Sequence, residues 1–104
     1  MKLADVEVNS TPKIDGSILV GGYFGPRRVV YEIPRVLLDD YFPRRPHLND
    51  AQRRTLVTSN LDSIKIIMQR KCEQQAWNET NTPGGSFWLL DFDPRDLDRQ
   101  LSDY

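Results

Sequence analysis

The chain has 104 residues, of which 38% are apolar and 28% are charged, a composition that is typical of a globular protein and excludes a disordered one. We expect a single domain over residues 1–104, because this length supports one hydrophobic core. Since 14 Lys and Arg residues oppose 15 Asp and Glu residues, no overall field attracts nucleic acid or an anionic membrane.

Features that direct export or cross-link a chain are sparse in this sequence. The residues after Met1 contain no apolar signal-peptide core, and no apolar run has the length of a membrane span. We therefore expect a soluble, cytoplasmic protein. One cysteine, Cys72, and one histidine, His47, exclude an internal disulfide and a zinc site made from Cys and His ligands.

The first third of the chain is predicted to form antiparallel strands. Residues 3–8 alternate apolar and polar side chains, which indicates an edge strand. Two β-rich runs, residues 17–24 and 28–33, flank a Gly-Pro-Arg turn at residues 25–27 and predict a hairpin.

Side-chain alternation in the hairpin predicts a sheet with one buried face. Gly21 and Gly22 interrupt the first strand and predict a bulge or a close approach of two backbones. In the second strand, alternate side chains are predicted to face the core, and these are Val29, Tyr31 and Ile33. The side chains between them, Arg28, Val30 and Glu32, are predicted to face away from it.

Two helices are predicted to follow. Pro34 suits the first position of a short helix that Pro43 ends. Asn49 and Gln52 have the spacing of a capping box, which predicts the start of one long helix over residues 50–74. Apolar residues three and four apart form its buried stripe: Leu56, Val57, Leu61, Ile64, Ile67, Met68 and Cys72.

The last quarter of the chain is predicted to close the sheet. Turn-forming residues fill positions 78–85, and residues 86–92 are an apolar run typical of a covered strand. Asp93 and Pro94 then suit the start of a short final helix. The fold class is therefore α+β, with the order β-β-β-α-α-β-α and a small, mostly antiparallel sheet packed against one long amphipathic helix.

Residues 28–42, a long helix through Ile64 and Lys71, and the closing strand resemble the domain-of-unknown-function family 1488 of small bacterial proteins. The resemblance covers about residues 17–92. It implies a hairpin, a short helix that ends in an aromatic residue, a long helix and a last strand. It implies no activity, ligand or catalytic residue. The chain departs from the pattern at residues 49–59 and in its acidic C-terminal segment, so a phage or mobile-element origin is an alternative.

Residues with reactive or metal-binding side chains are each better explained by structure. His47 has no nucleophile or orienting carboxylate beside it in the sequence. Cys72 falls on the apolar stripe, where a thiol acts as a small hydrophobic group. The carboxylates Asp91, Asp93, Asp96 and Asp98 lack the spacing of a calcium loop. We therefore expect no enzyme activity, no metal and no cofactor.

The paired arginines are the feature of the sequence that is hardest to explain by a structural role alone. Arginine binds phosphates and carboxylates through two parallel hydrogen bonds. Two of the pairs are separated by the turn into the long helix and could share one surface. An alternative is a solvated face that nearby aspartates neutralise. The predicted contact residues are Arg27, Arg28, Arg44, Arg45, Arg53 and Arg54.

These observations favour a small regulatory protein that binds a partner protein through an arginine-rich surface of mixed charge. An inhibitor of a bacterial defence nuclease, similar to an anti-CRISPR protein, is one form of this hypothesis. The alternatives are a nucleic-acid-binding regulator whose arginines contact phosphates, and a bacterial protein of unknown function. Self-association through oppositely charged regions also stays open.

Overall fold

A computed structural model describes residues 2–9, 13–41 and 49–97. The described part contains five strands, three α-helices and one turn of 3₁₀ helix. The longest of these helices has 13 residues, and none has the length and apolar content needed to cross a bilayer. In chain order the elements are β1 Leu3–Val8, β2 Ile18–Phe24, β3 Arg27–Ile33, α1 Arg35–Tyr41, α2 Asp50–Ser59, α3 Leu61–Glu73, β4 Trp77–Thr82, β5 Gly85–Leu90 and the 3₁₀ turn Pro94–Leu97.

The strands form one sheet in the order β1-β2-β3-β5-β4. Neighbouring strands are antiparallel except for β3 and β5, which are parallel and pair Val29 with Trp88 and Val30 with Leu89. The chain therefore leaves β3, builds its helices and β4, and returns beside β3. These strands and helices confirm the α+β class and the mostly antiparallel sheet.

The core lies between one face of the sheet and the helices. Tyr31 is fully buried at its centre, and α1 contributes Leu38 to the same cluster. The predicted alternation along β3 is confirmed for this face, although Val30 on the other face is also only 6% exposed. Side chains from the sheet and the helices interdigitate in the cluster, which includes Ile18, Val20, Val29, Ile33, Leu56, Val57, Ile64, Ile67, Met68, Cys72 and Leu90.

A close approach of β1 to β2 accounts for Gly22. A β-carbon at this position would lie 3.1 Å from Val6 Cγ2 and 3.2 Å from the Ala4 carbonyl oxygen, so a larger residue would displace β1. The register shifts between Ala4 and Glu7, and Asp5 has a φ of 54°. The predicted irregularity is therefore present, but the bulge itself lies in β1, opposite the glycine.

The prediction of one long helix is wrong, because the structure has two helices that are separated by one residue. Asn60, with φ −109° and ψ 19°, separates α2 from α3. Its side-chain Nδ2 donates to the Leu56 carbonyl at 2.8 Å, and its backbone amide donates to the Leu56 and Val57 carbonyls. The apolar stripe continues across the break, which is why periodicity alone predicted a single helix. The capping box of Asn49 and Gln52 is confirmed by both of its hydrogen bonds.

The strand β4 was predicted as part of a loop, and this prediction is wrong. Its residues, Trp77–Thr82, are mostly polar, and its partners lie elsewhere in the fold. The indole of Trp77 stacks on that of Trp88 with ring centroids 3.9 Å apart, and Glu79 forms an ion pair with Arg27 at 2.6 Å. Tertiary contacts thus stabilise a strand that contains two asparagines, Asn78 and Asn81, a residue type depleted in strands.

Asn60 provides a test of the helix break. Replacing it with alanine removes the hydrogen bond to the Leu56 carbonyl from a buried site. We expect Asn60→Ala to lower the free energy of unfolding by about 1–2 kcal/mol, measured by urea unfolding. Ser59→Ala, at an exposed neighbouring position, serves as the control and should change it by less than about 0.5 kcal/mol. Equal effects of the two substitutions would contradict this role of Asn60.

Candidate interaction surface

The predicted contact arginines that the structure describes do not share one location. Arg44 and Arg45 lie outside the described residues, as do His47 and Asp98. The other four are described, and they divide between the core face of the sheet, the opposite face and helix α2.

Arg27 belongs to the fold. Its guanidinium lies 5.1 Å from the ring centroid of Trp88, which in turn stacks on Trp77, and it pairs with Glu79 on the edge strand. Its Nε is buried and makes no hydrogen bond within the described part of the chain. A side chain held in this way joins β3 to β4 and β5 and leaves little charge free for a partner.

Arg53 was predicted to contact a partner, but the structure buries it. Its side chain is 6% exposed, and its Nη2 contacts Asp50 Oδ1 at 2.5 Å. The residue precedes Leu56 by three positions and Val57 by four, so all three share one face of α2. The same spacing in the sequence is the signal that would have identified Arg53 as a core-facing residue.

Arg54 and Arg28 lie far apart. Arg54 is exposed, and its Nε donates to the Asn9 carbonyl at 3.2 Å beside the Leu19 end of β2. Arg28 pairs in register with Tyr23, four residues further along that strand, which corresponds to about 13 Å. The four described arginines therefore do not form one surface. The surface that Arg44 and Arg45 could share with Arg53 and Arg54 stays a prediction, because Arg44 and Arg45 lie outside the described residues.

The face of the sheet that points away from the helices carries Arg28. All three described helices contribute to the core cluster, and none packs on this second face. Tyr23 is 46% exposed, and the Arg28 guanidinium lies 5.9 Å from the ring centroid of Phe87. The register places the following residues together on this surface, which we call the open face: Leu19, Gly21, Tyr23, Arg28, Val30, Glu32, Phe87 and Leu89.

A shallow recess of about 150 Å³ lies on the open face above Gly21. A β-carbon added to this glycine would meet only the Val29 carbonyl oxygen, at 4.0 Å, so the missing side chain creates the recess. Its rim includes Asp5, Glu7 and Arg28, and two carboxylates therefore face one guanidinium there. The sequence singled out this glycine as a strand irregularity and did not reveal the recess.

Asp96 forms a polar junction on the other side of the sheet. Its Oδ2 accepts hydrogen bonds from the Tyr31 hydroxyl at 3.0 Å and the Asp93 amide at 2.9 Å, and it pairs with Lys71 Nζ at 3.0 Å. Burial, together with the nearby Asp96 carboxylate, raises the pKa of the Tyr31 hydroxyl above its usual range. The junction ties the 3₁₀ turn to β3 and α3, so its geometry is that of a structural anchor.

Asp93 and Cys72 have shifted pKa values with simple causes. Hydrogen bonds from Arg95 lower the pKa of the Asp93 carboxyl to about 2, in agreement with its predicted place at the start of the last helical turn. Burial raises the pKa of the Cys72 thiol to about 11. The prediction that Cys72 is a core residue is confirmed, since it is 2% exposed.

Comparisons with known proteins leave the chain without an assigned relative. No protein-family model, curated protein or solved structure matches it. The resemblance to the domain-of-unknown-function family 1488 therefore stays a prediction. Within residues 2–9, 13–41 and 49–97, no three His, Cys, Asp or Glu side chains come together in a way that could hold a metal ion.

The Asp96 junction predicts a large loss of stability for Asp96→Ala. The substitution leaves the buried Tyr31 hydroxyl without its acceptor and Lys71, whose side chain is 13% exposed, without its carboxylate. We expect the free energy of unfolding to fall by about 2–4 kcal/mol, measured by urea unfolding. Glu73→Ala, which removes an exposed carboxylate at the end of α3, should change it by less than about 0.5 kcal/mol. Similar midpoints for the two variants would show that the junction does not stabilise the fold.

Cys72 is expected to be protected from alkylation in the native protein. A pKa of about 11, against a reference value of 9.0, reduces the thiolate fraction at pH 8 about 100-fold, and burial also blocks the reagent. The native protein should therefore react with iodoacetamide at least about 100-fold more slowly than the urea-unfolded chain, as followed by mass spectrometry. Comparable rates in the two states would contradict the buried position of the thiol.

Proposed function

We propose that this chain is a small interaction protein that binds a partner protein through its open face and catalyses no reaction. The observation that carries this proposal is the recess above Gly21, which is bordered by Tyr23 and Arg28 on a sheet face that no described helix covers. Tyrosine and arginine are enriched among the residues that dominate binding energy in protein interfaces.

The residues around the recess supply the parts that such an interface needs. Arg28 is held in place by its contact with the Phe87 ring, so less of its conformational freedom is lost on binding. Leu19 and Leu89 are half-buried and extend the apolar area on both sides. The recess itself offers room for one side chain of a partner.

The charge around the recess favours a protein over a nucleic acid. An exposed aromatic side chain beside an arginine is also typical of surfaces that stack on bases. However, the carboxylates of Asp5 and Glu7 line the same recess, and Glu32 on the same face already holds Lys13 at 2.7 Å. A polyanion would be repelled by this surplus of carboxylates, whereas a protein with charges of both signs can match them.

This proposal revises the predicted contacts. Arg28 is kept as a contact residue, and Arg27 and Arg53 are assigned to the stability of the fold. Arg44 and Arg45 stay sequence-based predictions. An inhibitor of a bacterial defence nuclease belongs to the same functional class. Its support is the small size of the chain and the separation in the sequence of a basic stretch, residues 27–54, from an acidic one, residues 91–104.

The test compares partner capture by the wild-type chain with capture by two open-face variants. Gly21→Val fills the recess without a close contact, since the atom nearest to the added β-carbon would be 4.0 Å away, and valine suits a strand. Arg28→Glu reverses the charge at the rim. We expect both variants to retain less than about one tenth of the partner protein captured from the lysate of the native host, which corresponds to about 1.4 kcal/mol.

Arg70→Glu is the matched control, because it reverses an exposed arginine on α3, a helix that contributes no residue to the lining of the recess. It should capture the partner as well as wild type does. Far-ultraviolet circular dichroism would establish that all variants fold. Equal capture by wild type and both open-face variants would reject the open face as the binding surface.

Anisotropy titrations with single-stranded DNA and RNA at 50 mM and 200 mM salt test the alternative, and binding that weakens steeply with salt would favour a nucleic-acid-binding regulator.

A further inference from the structure

The outer edge of β4 presents unpaired backbone groups. The Asp91 amide donates to the Ala76 carbonyl at 2.8 Å, and hydrogen-bonded pairs alternate along an antiparallel ladder. Even-numbered residues of β4 therefore bond to β5, and the backbone groups of Trp77, Glu79 and Asn81 point away from the sheet. No strand of the described part of the chain pairs with this edge.

The two edges of the sheet differ in how well they are protected. Edge strands usually avoid pairing with other chains by means of bulges, charges or covering elements. The strand β1 carries a bulge at Asp5, and its Leu3 amide is already bonded to the Gln69 side chain at 2.7 Å. By contrast, β4 pairs with β5 in continuous register, and its single charged residue, Glu79, is neutralised by Arg27.

We propose that β4 pairs with the β4 strand of a second copy of this chain, in antiparallel orientation, and joins two five-stranded sheets into one continuous sheet. The two-fold axis passes through Thr80, which faces Thr80 of the second copy. Glu79 then faces Asn81 of the second copy through a pair of backbone hydrogen bonds, and Asn78 faces Thr82.

The sequence of β4 is complementary to itself in this register. A two-fold axis through Glu79 would place two carboxylates directly opposite each other, and these could not hydrogen-bond to each other because both only accept. Moving the axis to Thr80 replaces that pair with glutamate opposite asparagine and threonine opposite threonine, both of which can form hydrogen bonds. This self-complementarity is the reason for assigning the edge to a second copy and not to an unrelated strand.

This inference does not depend on the proposed function. The recess above Gly21 is formed by β1, β2 and β3, whereas β4 is the edge strand at the far end of the sheet. A failure to dimerise would leave the open face intact as a binding surface, and a failure to capture a partner would leave the dimer intact.

A cysteine placed at the proposed axis gives a direct test. Thr80 and its copy form a non-hydrogen-bonded pair with Cα atoms about 4.5 Å apart, within the range of a disulfide. Thr80→Cys should therefore form a covalent dimer in mild oxidant. Asn78→Cys lies on the same face of the strand, but its copies would be about 13 Å apart along the strand, too far to form a disulfide. Buried Cys72 should not interfere in the native protein.

Sedimentation velocity of the purified chain supplies the second measurement. We expect wild type and Thr58→Lys, an exposed control on α2, to reach twice the monomer mass as concentration rises. Thr80→Lys places two ammonium groups side by side at the axis and should raise the dissociation constant at least about 10-fold. A wild-type monomer at all concentrations, or cross-linking at position 78 and not at position 80, would overturn the proposed pairing. So would a dimer that Thr80→Lys leaves unchanged.

Discussion

The parallel pairing of β3 with β5 is the contact from which the rest of the architecture follows. Adjacent parallel strands cannot be joined by a tight turn, so the chain between them must cross a face of the sheet. Here the crossing segment consists of the three helices and β4. The helices bury one face and leave the other open, and β4 is directed to the outer edge because β5 occupies the place beside β3.

This arrangement gives adjacent residues different roles. Arg27 and Arg28 are neighbours in β3, but consecutive side chains of a strand point to opposite faces. Arg27 therefore stacks on Trp88 on the core face, whereas Arg28 reaches the open face and contacts Phe87. Two arginines that are adjacent in the sequence therefore lie on opposite faces of the sheet.

The polar groups that lie near the core are organised by distant partners. Asp96 is 65 residues from Tyr31 in the sequence, yet its carboxylate accepts the hydrogen bond of the Tyr31 hydroxyl. In the sequence, a carboxylate within an acidic segment looks like a solvated charge, because only the fold shows which partners lie beside it. The same is true of Glu79, whose neutralisation by Arg27 removes the charge that would otherwise guard the β4 edge.

Local patterns were sufficient to predict the hairpin, the capping box at Asn49, the apolar stripe and the buried place of Cys72, because each depends on residues within a few positions. The break at Asn60 escaped prediction because the stripe continues through it. The strand β4, the recess above Gly21 and the Asp96 junction were decided only by tertiary structure. Their partners come from other elements, and a sequence pattern carries no information about which strands and side chains become neighbours across the fold.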